Sequence, residues 1–143
     1  LDLLMVMKQR HGLSLLLISH DLALVSQVAD SVFAMYHGRI VEFGPRAEVI
    51  ASPAHPYTQG LIQCQPDLKH HHESSPLREI PGSLPTPGQD FSGCAFAPRC
   101  GFSGPECEES VPGWMEISKT HQAACIHWRI AAEAWKSRKA SND

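Results

Sequence analysis

The sequence predicts an α/β fold: the end of a domain built of helices on a sheet, followed by an irregular cysteine-rich region. Three observations predict it. Helix-like, continuously apolar and helix-like stretches follow one another over residues 1–29. Two β-rich runs flank His37-Gly38. The composition then changes near residue 66: seven prolines fall between Pro76 and Pro112, and every cysteine after Cys64 lies at or beyond Cys94. The domain reading is accordingly 1–63 and 64–143.

Residues 1–10, LDLLMVMKQR, place Leu1, Leu4 and Met5 on one helical face, with Lys8 and Arg10 in the last turn and Gly12 as the residue after the cap. Leu13 to Ile18 is a nearly continuous apolar run, which predicts a strand buried on both faces. Ser19 or Asp21 is placed to cap a helix in which Leu22, Val25 and Ala29 share a face. Residues 31–43 predict a β-hairpin turning at His37-Gly38. Gly44-Pro45 ends it, Arg46 to Ala51 makes a short helix, and Pro56 fits the first position of a further helix over Tyr57–Gln63. Residues 66–93 carry no periodicity and are expected to run over the surface. Trp128, Ala131, Ala132 and Trp135 share a face of a terminal helix, and Lys136–Asp143 reads as a frayed tail.

The 143 residues correspond to roughly one ordinary domain. With 43% hydrophobic and 19% charged residues the chain is globular rather than disordered. A formal charge of −3 gives no footprint for a nucleic-acid partner. No apolar run approaches the roughly 18 residues that span a bilayer, and no basic-then-apolar leader is present. Leu1 already sits inside an apolar pattern, so the chain reads as a piece of a longer protein cut upstream.

Ser19-His20-Asp21 stands where open α/β sheets bind ligands, at the C-terminal end of the expected strand. An imidazole there suits phosphate sensing, because it can donate to a γ-phosphate oxygen and help hold an attacking water. The plain alternative is a strand-to-helix turn. The wider stretch carries more information. LLLISHD, LALVSQVADSVFAMYHGRIVEFGP and Ala54-His-Pro-Tyr-Thr-Gln59 together resemble the C-terminal part of an ABC-transporter ATPase, a P-loop NTPase, of the oligopeptide/dipeptide permease family. The resemblance runs from about Leu1 to about His127. It implies that His20 is the switch histidine contacting the γ-phosphate of ATP, and that residues 1–63 close a nucleotide-binding domain. It further implies partnership with membrane permease subunits and a second ATPase subunit, with peptide reaching the system through a binding protein. The expected location is the cytoplasmic face of the cell membrane, as a peripheral subunit.

No G-x-x-x-x-G-K-[ST] loop occurs, so these residues supply no backbone cradle for phosphates. ATP and Mg therefore belong to the full-length protein, and the chain alone is expected to hydrolyse nothing.

Cys94, Cys100, Cys107 and Cys125 are separated by five, six and seventeen residues. Disulfides need an oxidising compartment, for which there is no signal. Structural zinc usually uses at least one close C-x₂₋₄-C pair, which is missing here. A [4Fe–4S] cluster accepts thiolates from loops of varied spacing. On spacing alone, cluster and zinc both remain open. The permease resemblance implies the cluster: Gly93-Cys94, Pro98-Arg99-Cys100, Cys107 and Cys125 follow that family's pattern, except that Gly101 stands where proline is frequent and Ile126 precedes His127. The expected role is structural, metal–thiolate bonds supplying folding energy to a region with a thin core.

Cys64 reads as a small buried hydrophobe and His70-His71-His72 as a solvated loop. Two classes of function follow: part of a peptide-transport ATPase, or a non-enzymatic metal-binding or interaction module with a structural Fe–S or zinc site.

Overall fold

The computed structural model describes residues 2–65 and 79–141. His70-His71-His72 lies outside them. Helix α1 (Asp2–His11) is followed by α2 (Leu22–Val28), strands β1 (Ser31–Tyr36) and β2 (Arg39–Pro45), and helices α3 (Arg46–Ala51) and α4 (Pro56–Gln63). After an irregular passage come a 3₁₀ turn (Ala97–Arg99), α5 (Glu106–Glu109), β3 (Met115–Glu116), β4 (Gln122–Ala123) and α6 (Trp128–Ala140).

Local chemistry explains most boundaries. Gly12 ends α1, and Leu13 N–H bonds back to the Lys8 carbonyl at 3.0 Å, closing the helix as a Schellman motif does. Asp21, rather than Ser19, caps α2, its Oδ1 accepting from Leu24 N at 3.0 Å. The hairpin turn puts both His37 (φ 46°) and Gly38 (φ 74°) in the left-handed region, as a two-residue turn matched to strand twist requires. Pro56 sits in the first turn of α4, whose cap is His55.

The expected buried strand over 13–18 does not form. The segment carries no regular secondary structure and is unpaired, with Leu16 84% and Ile18 90% exposed. The reason is physical: a strand exists by its ladder, and among the described residues nothing lies alongside to pair with it. Helix α1 likewise buries none of its side chains and is tethered by the Lys8–Asp30 ion pair at 2.7 Å.

The sheet that does form is antiparallel, with strand order β1-β2-β4-β3. Strand β1 alternates strictly, burying Val32, Ala34 and Tyr36. Its partner β2 is extended by β4 through Glu42↔Ala123 and Phe43↔Gln122, and the Ala124 amide bonds the Val41 carbonyl at 2.8 Å. The core therefore joins early and late parts of the chain: Ala34, Tyr36, Val41 and Phe96, with Tyr57, Ile80, Cys94 and Cys100 against them. Tyr36, Tyr57 and Phe96 pack mutually at 4.8–5.5 Å between ring centroids, in tilted or edge-on arrangements.

The terminal helix docks on α3 and α4. Gln59 Nε2 donates to the Pro53 and Ala131 carbonyls at 3.0 and 2.9 Å, and the Trp135 indole donates to the Ala51 carbonyl at 3.1 Å. Ala131 and Trp135 are buried, and Trp128 and Ala132 half-buried. The expected frayed tail is corrected in part: Lys136–Ala140 continues α6, whose last turn carries Arg138 and Lys139, charges favourable at a helix C-terminus. Cys64 is half-buried at the end of α4 rather than fully enclosed.

Candidate functional site

The four late cysteines line one small cleft, together with His55, Phe96, Ala97, Phe102, Pro112 and His127 among others. Four separate local devices bring them there. Gly93 lets the Cys94 backbone approach α5: Cys94 N–H donates to the Cys107 carbonyl at 2.7 Å, and a Cβ on Gly93 would stand 2.7 Å from the Glu108 carbonyl carbon and overlap the Cys107 oxygen. Only glycine allows that approach. The 3₁₀ turn carries the chain from Cys94 to Cys100, with Ala97 N bonded to Cys94 O at 2.9 Å and Cys100 N to Ala97 O at 3.1 Å. Cys107 rides on α5, its amide bonded to the Gly104 carbonyl at 2.9 Å. Cys125 is delivered by β4, which joins the sheet just before it.

All five cysteines are free thiols. Burial pushes the Cys94 and Cys100 thiols up from their ordinary pKa. It pushes Cys125 up to about 12, helped by the other three cysteines nearby. Backbone amides act in the opposite sense. Phe102 N–H donates to Cys100 Sγ at 3.4 Å, and the neighbouring backbone offsets part of the upward push of burial at Cys94 and Cys125. Amide donors aimed at sulfur favour thiolate, and a bound cation would complete what burial withholds. The donor set thus fits a thiolate-held group. Among the described residues no set of three or more His, Cys, Asp or Glu side chains is arranged to hold a metal ion. The four thiols share a cleft without converging on a single-ion position.

Beside the cleft lies a polar network, buried at Glu42, His55 and His121, that the sequence reading missed. Glu42, wholly buried, accepts from Ala54 N at 2.7 Å and His55 N at 3.0 Å, and its Oε1 lies 2.7 Å from His121 Nε2. Ser118 and Thr120 hydroxyls donate to Glu48 at 2.6 and 2.8 Å, holding its carboxyl below the usual range, and Ser118 Oγ accepts from His121 N at 3.1 Å. The available signal was a carboxylate in the middle of the β-rich run Ile40-Val-Glu-Phe43, where the flanking residues call for an apolar side chain. His55 caps α4, with Nδ1 accepting from Tyr57 N at 3.1 Å. Burial pulls its pKa down to about 4.

His20 occupies an exposed bend just before α2 and does not line the cysteine cleft. The two sequence-derived sites are therefore separate.

Residues 41–107 match the family model for the oligopeptide/dipeptide transporter C-terminal region, and this part of the chain belongs to that family. A putative peptide import ATP-binding protein of Brucella melitensis is 41% identical over 136 residues, covering 92% of this chain and 40% of that protein. A probable peptide ABC transporter ATP-binding protein of Sinorhizobium fredii is 40% identical over 129 residues, covering 90% of this chain and 38% of its own length. A further putative peptide import ATP-binding protein, from Brucella abortus, is 43% identical over 112 residues, or 78% of this chain and 33% of that one. The chain thus spans about two fifths of the length of the first of these relatives. Among the described residues no helix is long and apolar enough to cross a membrane.

Proposed function

We propose that this chain is the C-terminal portion of the ATP-hydrolysing subunit of an ABC importer for oligopeptides or dipeptides. The observation that carries the reading is the 41% identity to a putative peptide import ATP-binding protein over 92% of the chain. In that subunit His20, at the N-terminal edge of α2, senses the γ-phosphate of ATP. The uncovered apolar residues of α1 and 13–18 support a setting in which this segment packs against the rest of a nucleotide-binding domain. The complete subunit works beside a second ATPase subunit on membrane permease subunits, as a peripheral protein of the cytoplasmic face, and peptide is delivered to them by a binding protein. The test is import of labelled peptide by cells whose complete subunit carries His20→Ala. Uptake is expected to collapse while the subunit remains present; undiminished uptake overturns the reading.

We further propose that Cys94, Cys100, Cys107 and Cys125 hold a [4Fe–4S] cluster with a structural role. A single zinc ion needs four sulfurs about 2.3 Å from one point. The four cysteines that line one cleft supply the number of thiolates such a cluster takes from loops of varied spacing. When bound, the cluster would turn four buried thiols into thiolates and tie the 94–107 loops to β4. These residues do the rest: the Phe102 amide donates to the Cys100 sulfur, and Phe96 and Phe102 line the cleft with apolar surface. Anaerobically purified protein is expected to be brown, with about four irons and four sulfides per chain. Stoichiometric zinc without iron overturns the cluster.

A further inference from the structure

Cys94 and Cys107 share a backbone contact that the other cysteines lack. The Cys94 amide donates to the Cys107 carbonyl at 2.7 Å, and Gly93 permits it, since a Cβ there would overlap the Cys107 oxygen. Among the described residues no other two of Cys94, Cys100, Cys107 and Cys125 share a backbone hydrogen bond. One such bond holds two Cα atoms roughly 5–6 Å apart, and a disulfide spans Cα atoms about 4.4–6.8 Å apart. The two side chains also face the same space. Both line the cleft, and the Cys107 thiol adds to burial in holding the Cys94 thiol above its ordinary pKa. Cys100 is engaged within its own turn, its Sγ accepting from Phe102 N–H at 3.4 Å. Cys94 is half-buried and lines a second groove with Arg39, Ile40, Val111 and Trp114, whereas Cys107 is 8% exposed.

We propose that Cys94 and Cys107 form a reversible redox pair, which hydrogen peroxide oxidises to a disulfide when no metal holds the two sulfurs. Cys94, the more accessible sulfur, attacks one peroxide oxygen. The O–O bond breaks, a sulfenic acid forms, and one water leaves with the thiol proton. The Cys107 thiol then attacks the Cys94 sulfur. The S–S bond forms, the S–O bond breaks, and a second water leaves. Two thiols have lost two electrons and two protons, which the peroxide has taken up as two waters. A dithiol reverses the change by exchange. The inference does not rest on the cluster reading. It makes the cleft's supply of thiolates depend on oxidation, because a disulfide withdraws two of the four.

Chain connectivity alone would favour other partners. Cys100 lies between Cys94 and Cys107, and shorter loops cost less to close. Pairing across Cys100 is therefore the mark of the folded backbone. The test takes the whole chain, freed of metal by chelator and dithiothreitol, desalted without oxygen and checked for residual iron and zinc. It receives one equivalent of hydrogen peroxide, free thiols are alkylated, and the linkage is mapped by mass spectrometry. Trypsin cuts between Cys94 and Cys100 at Arg99, and a glutamate-specific protease cuts between Cys100 and Cys107 at Glu106. The expected product has lost about 2 Da, has three rather than five alkylated cysteines, and carries Cys94 linked to Cys107. Dithiothreitol restores all five. The same oxidation in concentrated guanidinium is expected to shift the linkage to Cys94–Cys100 and Cys100–Cys107. A different dominant pair in the native chain overturns the proposal. So do linkage between chains, full alkylation of both cysteines after peroxide, or the same pairing with and without guanidinium. The mapping needs no variant to fold.

Discussion

Replacing Glu42 by glutamine keeps the side chain's shape and turns one of its two oxygens into an amide donor. The wild-type carboxylate meets three groups: Ala54 N and His121 Nε2 at Oε1, both at 2.7 Å, and His55 N at Oε2, at 3.0 Å. The less costly glutamine orientation puts its nitrogen at the Oε2 position, facing one N–H instead of two. That orphans the buried His55 amide at about 1–3 kcal/mol. It also weakens the two remaining bonds from charge-assisted to neutral, at about 1 kcal/mol each. These are net values measured in water, so the desolvation of the carboxylate is already inside them. The expected loss is about 3 kcal/mol or somewhat more, a fall in Tm on the order of 10 °C. Glu42→Ala, which orphans all three donors and leaves a void, should lose more. Urea unfolding followed by tryptophan fluorescence measures both, with Trp135 reporting through its bond to the Ala51 carbonyl. A glutamine variant within about 0.5 kcal/mol of wild type would refute the claim that this carboxylate organises the junction between β2, β4 and α4.

Other outcomes follow from the same structure. His55, with its pKa drawn from 6.5 down to about 4, binds its proton more readily in the unfolded chain; its contribution is complete above pH 6.5 and is lost as pH falls toward 4, up to about 3 kcal/mol. Denaturation midpoints across that range should fall in wild type and flatten in His55→Asn. Gly93→Ala should destabilise by about 1–3 kcal/mol or block folding, because its Cβ would meet the Cys107–Glu108 backbone, whereas Gly101→Ala, with open space around it, should be nearly silent in the same melts. Arg99 clamps the 80–81 segment through the Pro81 and Ile80 carbonyls, both at 2.8 Å, so Arg99→Gln should hasten proteolytic cleavage near those residues. If the proposed cluster is held there, Cys100→Ser should lose its iron and lower the melting of the 94–125 region; an unchanged iron content and melt would remove the structural role given to that thiol.

Much of the local structure was legible in the residues. Helix ends at Gly12 and Asp21, the turn at His37-Gly38 and the start of α4 at Pro56 rest on chemistry carried within a few positions, so short-range reading suffices. The four cysteines stood out by spacing, and the structure brings all four to one cleft. The strand expected over 13–18 failed for the complementary reason: an apolar run states that a segment is fit for a sheet but carries no information about what lies beside it. Glu42 and His55 were invisible for the same cause. Their importance lies in Ala54, His121 and Phe96, residues up to 79 positions away from Glu42 in the chain.

By itself the sequence determined α1 to α4, the terminal helix and the hairpin, the kinship to peptide-import ATP-binding proteins and the candidate ligand set, because propensity, capping and spacing are local or linear properties. Only the tertiary structure decided that β4 returns to β2, that Cys125 thereby joins Cys94, Cys100 and Cys107, and that a buried carboxylate and a capping imidazole stand behind them. Those are outcomes of long-range strand pairing and burial, whose energies depend on which distant surfaces meet.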